Sequence, residues 1–270
     1  MANSTVVSGP RMRRVGAVNW RGLWTLYVRE VKRFLKVFMQ TVAAPVVTTL
    51  LFLAIFLLAM GGQQRNVHGV PFLEFLAPGL IMMAMVQNAF ANTTSSLMIA
   101  KFQGSIVDLL MPPLSPIELT LGLALGGVTR GLVVGVVVAA AMAVVVPIHL
   151  FAPGLMLFHA VAASLLLSVL GIIGAIWADK FDHIAAVTNF VVTPLSFLSG
   201  TFYSIEQLPP AWHTVALVNP FFYMIDGFRA AFIGHADGSI PLGIAIMTAL
   251  DVSLLVVCHQ MLARGYKLKA

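Results

Sequence analysis

The chain has 270 residues, 59% of them hydrophobic and only 10% charged, with a formal net charge of +6. A soluble domain carries roughly 25% charged residues, so this composition excludes an ordinary water-soluble enzyme and indicates an integral membrane protein. The basic surplus does not indicate nucleic acid, because eight of the sixteen Lys and Arg lie in the first 36 residues and three more in the last seven, the distribution of membrane flanks.

In chain order, residues 1–18 read as a disordered cytoplasmic tail. Arg11, Arg13 and Arg14 are followed by no apolar run before Val42, so no cleaved signal peptide is expected. Over residues 19–37, Trp20, Leu23, Trp24, Tyr27, Val28, Val31, Phe34 and Leu35 recur at helical spacing. Arg21, Arg29, Lys32, Arg33 and Lys36 fall opposite. This pattern predicts an amphipathic helix that lies in the membrane interface, packs on a partner, or does both.

A bilayer takes about 20 apolar residues per helix. Six runs qualify: Phe38–Met60, Phe72–Leu97, Leu119–Val146, Pro153–Ala178, Ile184–Phe202 and Leu242–Leu262. With the N-terminus inside, thirteen Lys and Arg fall in inside segments, against only Arg65 and Arg229 outside, with Arg130 inside the third run. This bias predicts an all-α polytopic fold over residues 38–270 with both termini cytoplasmic. In the third run, Gly122, Gly126, Gly127, Gly131 and Gly135 give small-xxx-small spacings, suited to close packing either within the chain or between two copies.

Between the second and third runs, Ser105–Met111 has room for two helical turns before Pro112, Pro113 and Pro116 stop it. The expectation is a short cytoplasmic helix that exposes Ile106, Leu109 and Leu110 to a partner, or lies on its own bundle. Before the last run, FLSGTFYSIEQLPPAWHTVALVNPFFYMIDGFR is apolar and aromatic yet broken by Pro209, Pro210 and Pro220. No straight spanning helix fits across those prolines, so a pair of re-entrant helices is expected over about 203–240.

Among intramembrane polar groups, Asp251 must pair, face a cavity or be protonated, with Arg130, Gln87, Asn88 and Asn92 as candidate partners. Arg130 has a second option, snorkelling to the cytoplasmic surface. Asp226 and Arg229 have the spacing of an ion pair on one helix. Phe197, Phe202, Tyr203, Trp212, Phe221, Phe222 and Tyr223 are candidates either to line an exit path or to anchor the segment in the interface.

Catalytic signals are absent from the sequence. It has no G-x-x-x-x-G-K-[ST] phosphate loop and no G-x-S-x-G elbow. Its seven histidines show no close ligand spacing, so no metal or cofactor site is expected. Cys258 is the only cysteine, which rules out an intrachain disulfide.

Taken in order, FLAPG at Phe75–Gly79, the G-[ST]-hydrophobic-x-x-L-L segment Gly104–Leu110, the Pro-Leu-x-Pro turn Pro113–Pro116 and the LPPAW…NPFFY…DGFR segment resemble the ABC-2-type permeases. The resemblance covers nearly the whole chain, and within the family it is strongest to the compact permeases that export nodulation factors, polysaccharides and drugs. It implies an amphipathic connecting helix, six spans, and re-entrant helices before the sixth. It also implies a coupling helix at about 104–112, with Gly104, Ser105, Ile106, Asp108, Leu109 and Leu110 against an ATPase. The implied unit is a homodimer with two separate ATPase subunits, which hold ATP and Mg. The implied activity is export of a lipid, lipid-linked saccharide or hydrophobic compound across a bacterial inner membrane. The rival reading is a proton-driven secondary transporter with Asp251 as carrier.

Overall fold

The computed structural model describes residues 16, 18–59 and 66–267, so most of the expected tail and part of the loop after the first span lie outside the described residues. Helix α1 (Trp20–Lys36) precedes the first span, a π-helical turn at Met39–Ala43 continued by α2 (Ala44–Ala59). A short hairpin, β1 (Asn66–Val67) and β2 (Val70–Pro71), leads into α3 (Phe72–Phe102). There follow α4 (Ile106–Leu110), α5 (Pro116–Met142) and α6 (Pro153–Trp177). The fifth span is α7 (Phe181–Val187), a π turn at Thr188–Val192 and α8 (Thr193–Leu198). Helices α9 (Pro210–Val218) and α10 (Pro220–Ile233) come before the last span, α11 (Ile240–Ala263). Among the described residues, six helical segments are long and apolar enough to cross a membrane, close to the six predicted runs.

Local chemistry sets these boundaries. Helix α5 opens with a reciprocal capping box: Ser115 Oγ accepts from Glu118 N, Glu118 accepts from Ser115 N, and Pro116 sits at the first position, where its missing N–H costs nothing. The other oxygen of Glu118 accepts from Asn19 N, so the same carboxylate ties the start of α1 to the start of α5. Both π turns stand two residues before a proline, Pro45 and Pro194. A proline removes one i→i−4 bond and crowds the carbonyl four residues back, and a wider turn just before it relieves both.

Helices α3, α5 and α6 form the centre of the bundle, whereas the first, fifth and sixth spans are mostly outward-facing. The glycines of α5 are used within the chain. A Cβ on Gly122 would meet Leu26 of α1, one on Gly126 would lie 2.5 Å from Glu30 Cβ, and one on Gly131 would lie 3.0 Å from the Met85 carbonyl of α3. The glycine spacing is therefore what lets α1, α3 and α6 seat against α5.

Helix α1 is amphipathic as expected, with one correction. Trp20 and Trp24 point outward, but Arg33 does not join an exposed cationic face. It turns inward, donating to the carbonyl and Oδ1 of Asn92 at 2.6 and 2.9 Å and to Ser95 Oγ at 3.0 Å. The reason is Glu30, which is fully buried against Gly126 and pairs with Arg33 at 3.2 Å while Ser96 donates to it at 2.8 Å. A buried carboxylate keeps its charge only where such partners converge.

Two ends of the bundle can be named by their contacts. At the terminal face, Lys101 donates to the carbonyls of Ala175, Ile176 and Ala178, and Lys267 to that of Trp177, closing the C-terminal end of α6. Lys267 also bonds Asp179 at 2.7 Å, and this holds the Asp179 carboxyl below its ordinary range. At the opposite face lie the β1–β2 hairpin, the α5–α6 connection and the segments flanking α9 and α10.

Candidate functional site

Helix α10 brings together motifs far apart in the sequence. Asn219 caps it, Pro220 opens it, and Gly234, with φ of 73°, ends it. At nine and fourteen residues, α9 and α10 are too short to cross a bilayer. Twelve of the fourteen residues of α10 are buried, against α3, α6 and α11. Arg229 stands at the junction. Its guanidinium donates to the carbonyls of Phe75 at 3.1 Å, Gly200 at 2.6 Å and Thr201 at 3.3 Å, and lies 3.9 Å over the Phe75 ring. A Cβ on Gly79 would meet the Thr201 carbonyl and this guanidinium. The FLAPG, FLSGTF and DGFR segments thus form one packed unit.

This geometry corrects several expectations. Asp226 and Arg229 form no direct ion pair; Asp226 accepts from the backbone of Asp237 and Gly238 at 2.8 and 2.9 Å. Each finds better-placed backbone partners than the other's side chain. Phe221, Phe222 and Tyr223 do not line a path, since they are buried in the core of the bundle. Phe197, Phe202 and Tyr203 remain at least partly exposed and Trp212 is 54% exposed. Phe197, Phe202 and Phe56 form a ring chain that links the fifth span to the first.

Arg130 does not snorkel. It is buried and donates to Asn88 Oδ1 at 2.9 Å, because α1 covers that flank of α5. Asp251 pairs with none of the four proposed residues, and its Oδ1 is buried with no hydrogen-bond partner among the described residues. It faces inward with Gly243, Met247, Cys258 and Leu262. The structural clamp is therefore not formed within one chain. Asp251→Leu removes an unpartnered buried polar group, and its thermal unfolding midpoint in detergent is expected to equal or exceed that of wild type. A fall of several degrees would restore the clamp.

The short helix α4 forms after Gly104, which takes φ of 69°, the left-handed turn that glycine allows. Its exposure differs from expectation. Ile106 and Leu109 are buried in an apolar cluster formed by the chain itself, while Val107, Leu110 and Met111 are outward at 52, 40 and 75%. Asp108 is exposed too. On so short a helix, the two residues that anchor it to the bundle are unavailable to anything else.

Between α3 and the fifth span lies a groove of about 450 Å³, the feature sequence reasoning missed. Gln87, Asn88, Thr94 and Ser95 line one wall, and Ile184, Thr188, Val192 and Thr193 line the other. The sequence signal was present in the polar residues that recur every three or four positions along α3. From the sequence, Gln87 and Asn88 read as partners for Asp251, and nothing singles out Thr94 and Ser95. The fifth span, which carries the π turn Thr188–Val192, is mostly outward-facing and leaves this side of α3 open.

The sequence is similar to those of known proteins over most of its length. The chain is 36% identical to the inner membrane transport permease YadH of Escherichia coli over 93% of this chain and 98% of that protein. It is 26% identical to Nodulation protein J of Rhizobium leguminosarum bv. viciae over 92% of this chain and 95% of that one. It is 23% identical to Nodulation protein J of Neorhizobium galegae, over 92% and 94%. The family model described as ABC-2 type transporter matches residues 21–233, from α1 to the last turn of α10. The chain, with six apolar helices of spanning length among the described residues, thus belongs to the ABC-2 type transporter family and is a multi-pass inner-membrane transport subunit.

Proposed function

We propose that the chain is the permease of an ATP-driven exporter, working as a homodimer with two separate ATPase subunits. The observation that carries this reading is the α3–fifth-span groove in a chain of this family, with amide and hydroxyl groups beside apolar side chains. Such a lining suits an amphiphile: a lipid, a lipid-linked saccharide or a hydrophobic drug. The terminal face is cytoplasmic by the distribution of Lys and Arg, and the groove lies in the half of α3 nearest it. The outward residues of α4 are on that face and offer the ATPase an apolar docking surface. The outward-facing first, fifth and sixth spans offer surface for lipid and for the second copy.

The test is reconstitution of the full chain with its ATPase in vesicles. The chain alone is expected to hydrolyse no ATP, and transport is expected to require ATP. Ala91→Trp, which fills the groove from α3, is expected to reduce transport at least tenfold while ATPase association stays unchanged. Transport by Ala91→Trp at the wild-type rate removes the groove from the path. Transport that persists without ATP and collapses with the proton gradient supports the secondary-transporter reading instead.

A further inference from the structure

At the opposite face, three segments converge that are remote in sequence: the tip of the β1–β2 hairpin, the turn at Ser204–Gln207 and the loop after α10. His68 and Gly69 occupy the hairpin turn with φ of 51° and 80°, the two left-handed positions of a primed two-residue turn. This turn directs His68 Nε2 to 3.0 Å from Asp237 Oδ1 and 3.2 Å from Ser204 Oγ. The Asp237 side chain is only 3% exposed, and its two oxygens are differently engaged. Its Oδ2 accepts from Ser204 Oγ at 2.7 Å and Ile205 N at 2.9 Å. Its backbone N–H is held by Asp226 of α10 at 2.8 Å. Oδ1 is thus left facing the imidazole. A second imidazole, the exposed His235, lies against the first, with ring centroids 4.1 Å apart.

We propose that His68, His235 and Asp237 bind one divalent transition-metal ion of the zinc class. One ligating atom from each lies within 4.8 Å of the others. Bonds of about 2.0–2.2 Å in a tetrahedron place ligand atoms about 3.4 Å apart, so closure asks for about an ångström of movement. His235, exposed on a loop, is the ligand free to supply it. Two imidazoles and one carboxylate suit zinc and its neighbours, whereas calcium and magnesium take oxygen ligands. Ser204 and the Ile205 N–H act as the outer support that orients a metal-binding carboxylate. Glu206 Oε2, 4.0 Å from His68 Nε2, or a water completes four ligands. A plain His–Asp hydrogen bond would account for His68 and Asp237, but not for a second imidazole stacked at the same point. Bound metal would join the segment between the first two spans to both flanks of the re-entrant helices. This inference does not depend on the transport reading.

The test uses the full chain, purified through a tag without histidine, stripped with chelator and titrated with Co²⁺, with Zn²⁺ as competitor. One equivalent is expected, with the visible bands of tetrahedral cobalt and a Kd of about 1 µM or tighter. His68→Ala and His235→Ala are each expected to weaken binding more than tenfold, and the exposed His149→Ala not at all. Zn²⁺ is expected to raise the thermal unfolding midpoint of the wild type but not of His235→Ala. His235 is on the surface, so its variant folds even where His68→Ala does not. Absence of stoichiometric binding, or binding unchanged in His235→Ala, would overturn the proposal and leave a hydrogen-bonded cluster only.

Discussion

Arg229→Met is expected to abolish accumulation of a stably folded chain in the membrane. Arg229 is 2% exposed, and its guanidinium meets three backbone carbonyls on two other segments, with the Phe75 ring beneath it. Hydrogen bonds from a charged donor are worth about 1.5–3 kcal/mol each, and removing one side of such a set strands the acceptors. Even with strong non-additivity, the loss exceeds about 3 kcal/mol, against a total folding stability of about 5–15 kcal/mol. Arg229→Lys should fail almost as badly, because an ammonium at the end of a flexible stem does not reproduce a planar fork spanning Phe75 on one side and Gly200 on the other. The measurement is the amount of chain in the membrane fraction and its unfolding midpoint in detergent. Trp212→Ala, at the exposed surface of α9, should leave both unchanged. A wild-type midpoint for Arg229→Met would mean that the three motifs are held together by packing alone.

The Arg229 junction also marks where sequence reasoning reached its limit. Apolar run length and the prolines predicted the six spans and the two short helices before the sixth, because desolvation of backbone in lipid constrains each segment by itself. FLAPG, FLSGTF and DGFR were each visible, but a helical period of three suggested that Arg229 would pair with Asp226. Its actual partners are carbonyls, which have no sequence signature. The same holds for Glu30, which no sequence pattern singles out and which is buried at the α1–α3–α5 contact. His68 and His235 lie far apart in the chain, so no ligand spacing could reveal them; a two-residue turn and a loop after α10 bring them together. The groove lies between two elements remote in sequence, α3 and the fifth span, and no local period marks which of their residues face each other. Local periodicity therefore carried the spans, and the polar contacts between helices were set by tertiary packing.

Helix α4 allows the coupling proposal to be separated from simple instability. The inward and outward residues of this five-residue helix differ sharply in exposure, so each class has its own expected phenotype. Leu109→Ala opens a cavity in the apolar cluster that buries this side chain, and should cost about 2–5 kcal/mol of stability before it affects anything else. Val107, Leu110 and Met111 contribute little to the fold of the isolated chain, so truncating Leu110 and Met111 together to Ala should leave the unfolding midpoint within about a degree of wild type. If these side chains fill a groove on the ATPase, the double variant loses roughly 2 kcal/mol or more of association energy, about thirtyfold in Kd. Transport and permease-stimulated ATP hydrolysis should then fall together, while the chain still inserts and associates in pairs. Gly104→Val should have a similar effect by another route, since a β-branched residue does not hold φ of 69° without strain and α4 would leave its position. Binding to the purified ATPase, measured beside coupled transport in the same preparations, decides the matter. Wild-type values for both in the Leu110→Ala, Met111→Ala chain would make this loop a structural connector and place the docking surface elsewhere on the terminal face, where Phe102 and Phe181 stack at 4.6 Å with about half of each exposed.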